Sequence, residues 1–236
     1  MNIDKDRDVT AQQGLCGDVA VLVPAAGSGI RLGPGAPKAL RLLNGETLLV
    51  HAVRRIVAAP SVGCVVVSAP PAQVTSVAQL LAPFAQVIVV AGGASRQASV
   101  AAALAAVPPG YDIVLVHDAA RALAPAELVE RVASAVRSGS PAVVPVLPVI
   151  DTIKEVDGDG AVVRTIDRGV LRAIQTPQGF RRAVLAAAHQ AAVDEHTDDA
   201  GLAELIGVVV HTVPGEESAM KITRPLDLSV AEILLG

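Results

Sequence analysis

Glycines and two cations follow the first predicted strand at a spacing suited to phosphate binding. The segment PAAGSGIRL occupies residues 24–32, and GPGAPK follows at 33–38. Small residues let backbone N–H groups approach an anion, while Arg31 and Lys38 add positive charge. The segment lacks the Gly-Lys-Ser/Thr ending of a P-loop and the third glycine of a dinucleotide-binding fingerprint, so neither of those classes is favoured. A glycine-rich turn with a solvated arginine and lysine is the alternative.

A carboxylate stands at the end of another predicted strand, in VHDAAR at residues 116–121. Asp118 could bind a ribose hydroxyl, a metal ion or a polyol. Arg121 either binds substrate or simply pairs with Asp118. His117 is interpreted as a packing residue at the end of the strand rather than as a base.

Other polar positions give weaker signals. Gly92 begins GGASR, where paired glycines permit close approach of a flat base, and Ser99 lies one turn beyond this segment. Thr176 and Thr197 lie in polar turns, and Thr197 could equally be the N-cap of a helix through residue 205. Lys221 precedes the last predicted helix, where a lone lysine is ordinarily a surface residue. No GxSxG elbow and no zinc-ligand spacing is present in the sequence, so a nucleophilic hydrolase is disfavoured.

The elements that must position these residues alternate between short apolar runs and amphipathic segments. Helical spacing of apolar residues is found at 47–57 and 125–137, and a last helix begins near Pro225. Nearly continuous apolar strands predict a mostly parallel sheet covered on both faces, with ligands at the carboxyl ends of the strands. The predicted strands cover residues 19–23, 64–68, 87–90, 113–117, 142–146 and 208–213.

One segment breaks this alternation. Two runs with a period of two, at 149–156 and 161–168, flank DGDG at 157–160 and predict a β-hairpin. The hairpin is either an ordinary edge feature or an arm that engages another subunit.

Composition limits the class of protein. Of 236 residues 52% are apolar but only 1% aromatic, and the net charge is −4. These values exclude disorder and disfavour nucleic-acid binding through stacked aromatics or a general basic surface. Prolines divide the long uncharged stretch at 56–95, so no membrane span is expected. Cys16 and Cys64 form neither a disulfide framework nor a metal cluster. We predict a cytoplasmic protein with a flexible extension at 1–17 and one domain at 18–236.

Taken together, segments between residues 19 and 235 resemble the 2-C-methyl-D-erythritol 4-phosphate cytidylyltransferase family. PAAGxGxR marks many nucleotidyltransferases, whereas VHDAAR, TPQ and KITRPLDL are more specific. The segments are PAAGSGIRL (24–32), PKAL (37–40), GGASRQASV (92–100), VHDAAR (116–121), DTIK (151–154), TIDR (165–168), QTPQGF (175–180), TDDA (197–200) and KITRPLDL (221–228). Two departures are Ile30, where many members carry a charged residue, and Ser218 and Ala219, where some members have an acidic residue.

The resemblance implies a Rossmann-like three-layer α/β fold with a mostly parallel sheet and a projecting β-hairpin arm at about 148–172. In a homodimer, each arm would contact the other subunit. The reaction would transfer CMP from CTP to 2-C-methyl-D-erythritol 4-phosphate, giving 4-diphosphocytidyl-2-C-methyl-D-erythritol and pyrophosphate in non-mevalonate isoprenoid synthesis. Mg²⁺ would be carried mainly by the nucleotide phosphates.

The resemblance also assigns individual roles. The catalytic residues, which hold the triphosphate and its transition state, would be Arg31, Lys38 and Lys221. The nucleotide would be bound by Pro24, Ala25, Ala26, Gly27, Gly92, Ser99, Asp118 and Ala119. The polyol phosphate would be bound by Arg121, Thr152, Arg168, Thr176 and Thr197, with Thr152 and Arg168 reaching in from the partner subunit.

Two other functions remain open from the sequence. The same nucleotide loop would serve a nucleotidyltransferase acting on another polyol phosphate, such as ribitol 5-phosphate, or on a sugar phosphate. A catalytically inactive nucleotide-sensing or scaffold module is the third hypothesis, and the presence of Arg31, Lys38 and Lys221 argues against it.

Overall fold

A computed structural model describes residues 17–27 and 36–236 of the protein. The predicted extension at 1–17 lies outside the described residues except for Gly17. Arg31 and Ile30 also lie outside them. Within the described ranges, no helix is both long enough and apolar enough to cross a membrane. The cytoplasmic location stays a prediction.

The fold is built on a mostly parallel sheet, as the sequence predicted. Eight strands form it in the order β10-β7-β11-β6-β1-β4-β5, with β12 paired to β7. The strands β1, β4, β5 and β6 are parallel, whereas β10 and β11 run antiparallel to their neighbours. The strands of this sheet are β1 Val19–Pro24, β4 Val62–Ala69, β5 Val87–Ala91, β6 Ile113–Val116, β7 Ala142–Pro148, β10 Arg172–Ile174, β11 Gln178–Arg181 and β12 Val210–Pro214. Two short strands, β2 Leu42–Leu43 and β3 Glu46–Thr47, pair separately.

Helices cover both faces of the sheet. The helices are α1 Leu48–Val57, α2 Val74–Leu81, α3 Arg96–Ala105, α4 Ala126–Arg137, α5 Arg182–Ala191, α6 Asp199–Leu205 and α7 Pro225–Leu235. The residues of β1 alternate between two apolar clusters, since Val21 packs with α1, α2 and α4 while Leu22 packs with α3, α5 and α6. Successive side chains of a strand point to opposite faces, so a fully apolar β1 requires a covering layer on each side. The predicted three-layer class is confirmed.

The segment around DGDG forms a separate two-stranded hairpin. Its strands, β8 Ile153–Val156 and β9 Val162–Ile166, pair antiparallel and belong to neither other sheet. Both strands are shorter than predicted, since the ladder does not include residues 149–152, 161 or 167–168. Most other strands extend one to two residues beyond the predicted ranges, whereas β12 begins at Val210 rather than at 208 and β6 ends at Val116, so His117 lies in the loop that follows.

Candidate functional site

Three parallel strands end beside one another and open a cavity at their carboxyl edge. β1 lies between β4 and β6, and β5 extends the same parallel set. The loops after β1, β5 and β6 therefore meet, and the described residues enclose about 420 Å³ there. We call this space the first cavity. Among the residues singled out from the sequence, its lining contains Pro24, Ala26, Gly27, Ser99, Asp118, Ala119 and Lys221.

Paired glycines allow the loop after β5 to pack closely against the loop after β1 and against the first turn of α3. A Cβ atom on Gly92 would lie 2.7 Å from the Cβ of Ala26, and one on Gly93 would lie 2.4 Å from the Cβ of Ala98. Ser99, which is 2% exposed, accepts a hydrogen bond from the Gly93 N–H at 3.2 Å. Gly93 lines the first cavity, whereas the predicted nucleotide-binding residue Gly92 is not among the described residues that line it. A larger residue at either glycine would force its neighbours apart.

Charge in the first cavity is concentrated on one carboxylate between two cations. Lys221 Nζ lies 2.7 Å from Asp118 Oδ2, and Arg96 Nε lies 3.3 Å from Asp118 Oδ1. Arg96 also donates through Nη1 to Asp199 Oδ2 at 2.8 Å. Burial alone would raise the pKa of Asp118, but Arg96, Lys221 and Arg121 outweigh burial and hold that pKa below its ordinary value. Asp118 therefore stays ionised at neutral pH.

A chain of hydrogen bonds fixes the backbone at Asp118. Its N–H donates to Thr176 Oγ1 at 3.0 Å, and Thr176 Oγ1 lies 3.2 Å from His117 Nδ1. His117 Nε2 lies 3.3 Å from the Arg121 carbonyl, which only accepts, so Nε2 carries the proton. Burial is the largest influence on His117 and lowers its pKa to about 4. The neutral imidazole therefore accepts from the Thr176 hydroxyl, and it has a wider role than packing.

A second cavity, of about 270 Å³, adjoins the first. Arg96, Asp118 and Lys221 line both cavities and form the boundary between them. The second cavity also contains three predicted polyol-phosphate residues: Arg121, Thr176 and Thr197.

Arg121 does not pair directly with Asp118. Its guanidinium donates to the carbonyls of Ala219 at 2.7 Å and Ile174 at 3.1 Å, and no ion pair within 4.0 Å joins it to a described carboxylate. Its buried Nε has no hydrogen-bond partner among the described residues. The interpretation that Arg121 simply pairs with Asp118 is wrong.

Thr197 and Lys221 do not have the ordinary structural roles that the sequence offered as alternatives. Asp198, not Thr197, caps α6, since its side chain accepts from the Gly201 N–H. Lys221 is not an ordinary surface lysine, because its ammonium pairs with Asp118, whose side chain is 12% exposed.

The remaining predicted residues lie elsewhere in the structure. Ala25 is 4% exposed and belongs to the apolar core. Lys38 begins the short 3₁₀ helix Lys38–Leu40 and is not among the described residues lining the first or second cavity. Thr152 precedes β8, and Arg168 lines a separate open cavity of about 450 Å³ together with Arg172. A single chain does not bring Thr152 or Arg168 into the first two cavities.

The sequence analysis did not predict Arg96 as a site residue, nor its contact with the carboxylate of Asp199. Arg96 directly follows Ser95, which caps α3 by accepting from the Ala98 N–H. Arg96 could have been predicted from the sequence. It is a cation that closely follows the Gly-Gly pair, and it lies within GGASRQASV (92–100), one of the segments that carry the family resemblance. Asp199 gave no such signal, because 103 residues separate it from Arg96 in the chain.

Comparison with known proteins places this arrangement in context. The family model described as "2-C-methyl-D-erythritol 4-phosphate cytidylyltransferase" matches residues 19–236. Proteins of that name from Streptomyces avermitilis and Frankia casuarinae are 53% identical over 228 residues and 57% identical over 218 residues. These alignments cover 92% of this chain in both cases, and 91% and 81% of the two relatives.

Solved structures give the same result. The 4-diphosphocytidyl-2C-methyl-D-erythritol synthase from Anaerococcus prevotii matches with a TM-score of 0.81 at 27% identity, covering 93% of this chain and 98% of that one. The 2-C-methyl-D-erythritol 4-phosphate cytidylyltransferase from Thermus thermophilus matches with a TM-score of 0.74 at 39% identity, covering 92% and 98%.

Proposed function

The chain belongs to the 2-C-methyl-D-erythritol 4-phosphate cytidylyltransferase family, and we propose that its two adjoining cavities are the active site. The chain is a nucleotidyltransferase that transfers CMP from CTP to 2-C-methyl-D-erythritol 4-phosphate. The observation that carries the proposal is the shared boundary: Asp118, Arg96 and Lys221 line both cavities. A cation at this boundary can approach the phosphates of both substrates.

The reaction requires that the two substrates be positioned and their negative charge be compensated, and it requires no protein nucleophile. The nucleophile is the substrate's own phosphate, whose second pKa is about 6, so it is largely dianionic at pH 7. It attacks the α-phosphorus of CTP, a new P–O bond forms, and pyrophosphate leaves with the electron pair of the broken bond. Two anions must meet and charge grows on the leaving group, which cations stabilise. The neutral, hydrogen-bonded His117 is not positioned as a base, and this chemistry needs none.

In this proposal the nucleotide occupies the first cavity and the polyol phosphate occupies the second. Small residues of the loops after β1 and β5, among them Ala26, Gly27 and Gly93, line the first cavity and leave space for a flat pyrimidine, which fits the nucleotide end. Arg121 lines the second cavity and supplies positive charge for the polyol phosphate. Lys221, together with Arg31 and Lys38, stabilises the triphosphate and the charge that develops during transfer.

We propose that Mg²⁺ is the cofactor and that the nucleotide phosphates carry it. Mg²⁺ retains several waters and commonly binds through substrate phosphates with few protein ligands. The described residues form no cluster of three His, Cys, Asp or Glu side chains suited to a metal, and Asp118 is occupied by Arg96 and Lys221. This donor set fits an ion held by phosphate oxygens. When bound, Mg²⁺ would neutralise charge on the triphosphate.

We further propose a homodimer in which the arm, residues 148–172, crosses to the other subunit. Ile150 and Val170 are 78% and 77% exposed, which is costly for large apolar side chains in an isolated chain. A two-stranded hairpin such as β8–β9 is marginal in water without a surface to pack on. Crossing would bring Thr152 and Arg168 to the partner's second cavity, where a guanidinium binds phosphate bidentately.

The specificity is tested by pyrophosphate release from each of four nucleoside triphosphates against a panel of polyol phosphates. We expect the highest kcat/KM for CTP with 2-C-methyl-D-erythritol 4-phosphate. Faster turnover with ATP or GTP would overturn the assignment of the nucleotide site. Faster turnover with ribitol 5-phosphate would place the acceptor in the alternative class, and nucleotide binding without pyrophosphate release would indicate a sensing module.

A further inference from the structure

We propose that Arg96 is a positioning residue that keeps Asp118 charge-compensated while Lys221 leaves it for the reacting phosphates. The inference rests on the proposed role of Lys221 and adds a residue that acts through Asp118. Lys221 has two competing partners, Asp118 and the reacting phosphates. Lys221 Nζ is 2.7 Å from Asp118 Oδ2, so a lysine needed at phosphate is paired with a carboxylate.

Releasing Lys221 would be costly if Asp118 had no other cation. The Asp118 side chain is only 12% exposed, and a buried carboxylate that loses its partner is strongly destabilised. Arg96 Nε lies 3.3 Å from the other oxygen, Oδ1, so the two cations occupy different oxygen atoms of Asp118. Lys221 can therefore depart while the arginine contact remains in place.

Arg96 and Lys221 differ in their freedom to move. The Lys221 side chain is 43% exposed, and its ammonium ends a flexible four-carbon stem. The Arg96 side chain is 28% exposed, and its Nη1 donates to Asp199 Oδ2 at 2.8 Å. Asp199 is itself 1% exposed, and its other oxygen lies 2.9 Å from His189 Nε2. Because an ionised carboxylate only accepts, His189 Nε2 is the donor. The contact with Asp199 therefore holds Arg96 in place, whereas Lys221 is the partner of Asp118 that can move.

The planar guanidinium is needed for this bridge. Arg96 uses two separate nitrogens, Nε and Nη1, to contact Asp118 and Asp199 at once. A lysine ammonium is a single point charge, so it would satisfy one carboxylate better than the other. We therefore expect Arg96→Lys to retain part of the activity and Arg96→Gln to lose more.

The test is a double-mutant cycle between Arg96→Gln and Asp118→Asn, with kcat measured by pyrophosphate release at saturating substrates. Without Arg96, Lys221 stays on Asp118, so kcat should fall about tenfold to a hundredfold while KM for CTP changes less than about threefold. In the Asp118→Asn background no carboxylate holds Lys221, so adding Arg96→Gln should lower kcat by less than about threefold. An equal loss in both backgrounds would show that Arg96 does not act through Asp118 and would overturn the proposal.

Two control variants test whether a loss of kcat results from misfolding. One is Arg96→Lys, and the other replaces Arg137, which lies near the amino ends of the parallel strands. Arg137 donates to Asp18 through two nitrogens at 3.0 and 2.6 Å, beside the amino end of β1. Arg137→Gln removes an arginine–carboxylate pair that is more exposed and far from both cavities, and it should leave kcat unchanged. If Arg96→Gln does not fold, Arg96→Lys replaces it in the same cycle, with an expected loss of about threefold to tenfold that Asp118→Asn abolishes.

Failure of this inference can be separated from failure of the proposed site. If Lys221→Met retains full kcat, the proposed role of Lys221 is wrong, and the inference falls with it. If Lys221→Met is inactive while Arg96→Gln and Arg96→Lys both have full kcat, the site stands and only the positioning role of Arg96 is refuted.

Discussion

Replacing Lys221 by methionine should separate catalysis from stability. Methionine keeps much of the length of the side chain and removes the ammonium. In the proposed mechanism this cation stabilises charge that grows during transfer, and removing one such donor costs about 10²–10³ in kcat. That range corresponds to about 2.7–4 kcal/mol of activation free energy.

The cost to folding should be much smaller, because Asp118 keeps a second cation. Arg96 remains at 3.3 Å from Asp118, and the Lys221 side chain is 43% exposed, so solvent screens the lost pair. Because Arg96 still compensates Asp118, we expect the loss of its half-exposed partner to cost about 1 kcal/mol. For a domain of this size, that loss lowers Tm by about 2–4 °C or less.

The assay is steady-state pyrophosphate release at saturating CTP and polyol phosphate, paired with thermal unfolding of the same samples. We expect kcat to fall by about two to three orders of magnitude with a Tm change of a few degrees at most. A kcat within about threefold of the wild type would refute the catalytic role. A large fall in Tm would refute the argument that Arg96 alone can compensate Asp118.

Three further predictions address other parts of the site. Arg31→Ala and Lys38→Ala should each lower kcat by about 10²–10³ with a smaller effect on CTP binding; near-wild-type kcat at saturating substrates would exclude these roles. Arg168→Ala should raise KM for the polyol phosphate and spare CTP affinity. A mixed dimer of Arg168→Ala and Lys38→Ala subunits should keep one working site, whereas an inactive one would contradict arm exchange. The lowered pKa of His117, about 4, means that the unfolded chain binds more protons between pH 4 and 6.5, so stability falls as the pH drops through that window. Urea unfolding should show a loss of about 3 kcal/mol at pH 4 that His117→Asn lacks, and equal slopes in both proteins would disprove it.

The sequence predicted the sheet and the edge at which its loops meet, because both follow from local patterns. β1 is apolar at every position from Val19 to Val23, which requires cover on both faces and predicts a parallel, three-layer core. Parallel strands end at one edge, so loops after β1, β5 and β6 had to meet there. The residues in those loops, such as Gly27 and Asp118, could therefore be predicted to lie close together without knowing any contact.

The contacts that organise the site could not be predicted in this way, since they join distant parts of the chain. The Thr176–His117 bond spans 59 residues and the Arg96–Asp199 pair spans 103. The two antiparallel strands, β10 and β11, are three and four residues long, too short for a reliable periodic signal. Pairing with Asp118 was one of two alternatives for Arg121, and only the fold shows that its guanidinium donates to the carbonyls of Ala219 and Ile174 instead.

In the proposed mechanism this chain joins CMP to a polyol phosphate at the boundary of the two cavities. The most direct measurement is ³¹P NMR of the protein with CTP, Mg²⁺ and 2-C-methyl-D-erythritol 4-phosphate. We expect a new pair of coupled diphosphate resonances to appear together with pyrophosphate, only when both substrates are present. Formation of CMP and pyrophosphate without those coupled resonances would show hydrolysis rather than transfer and would contradict the claim.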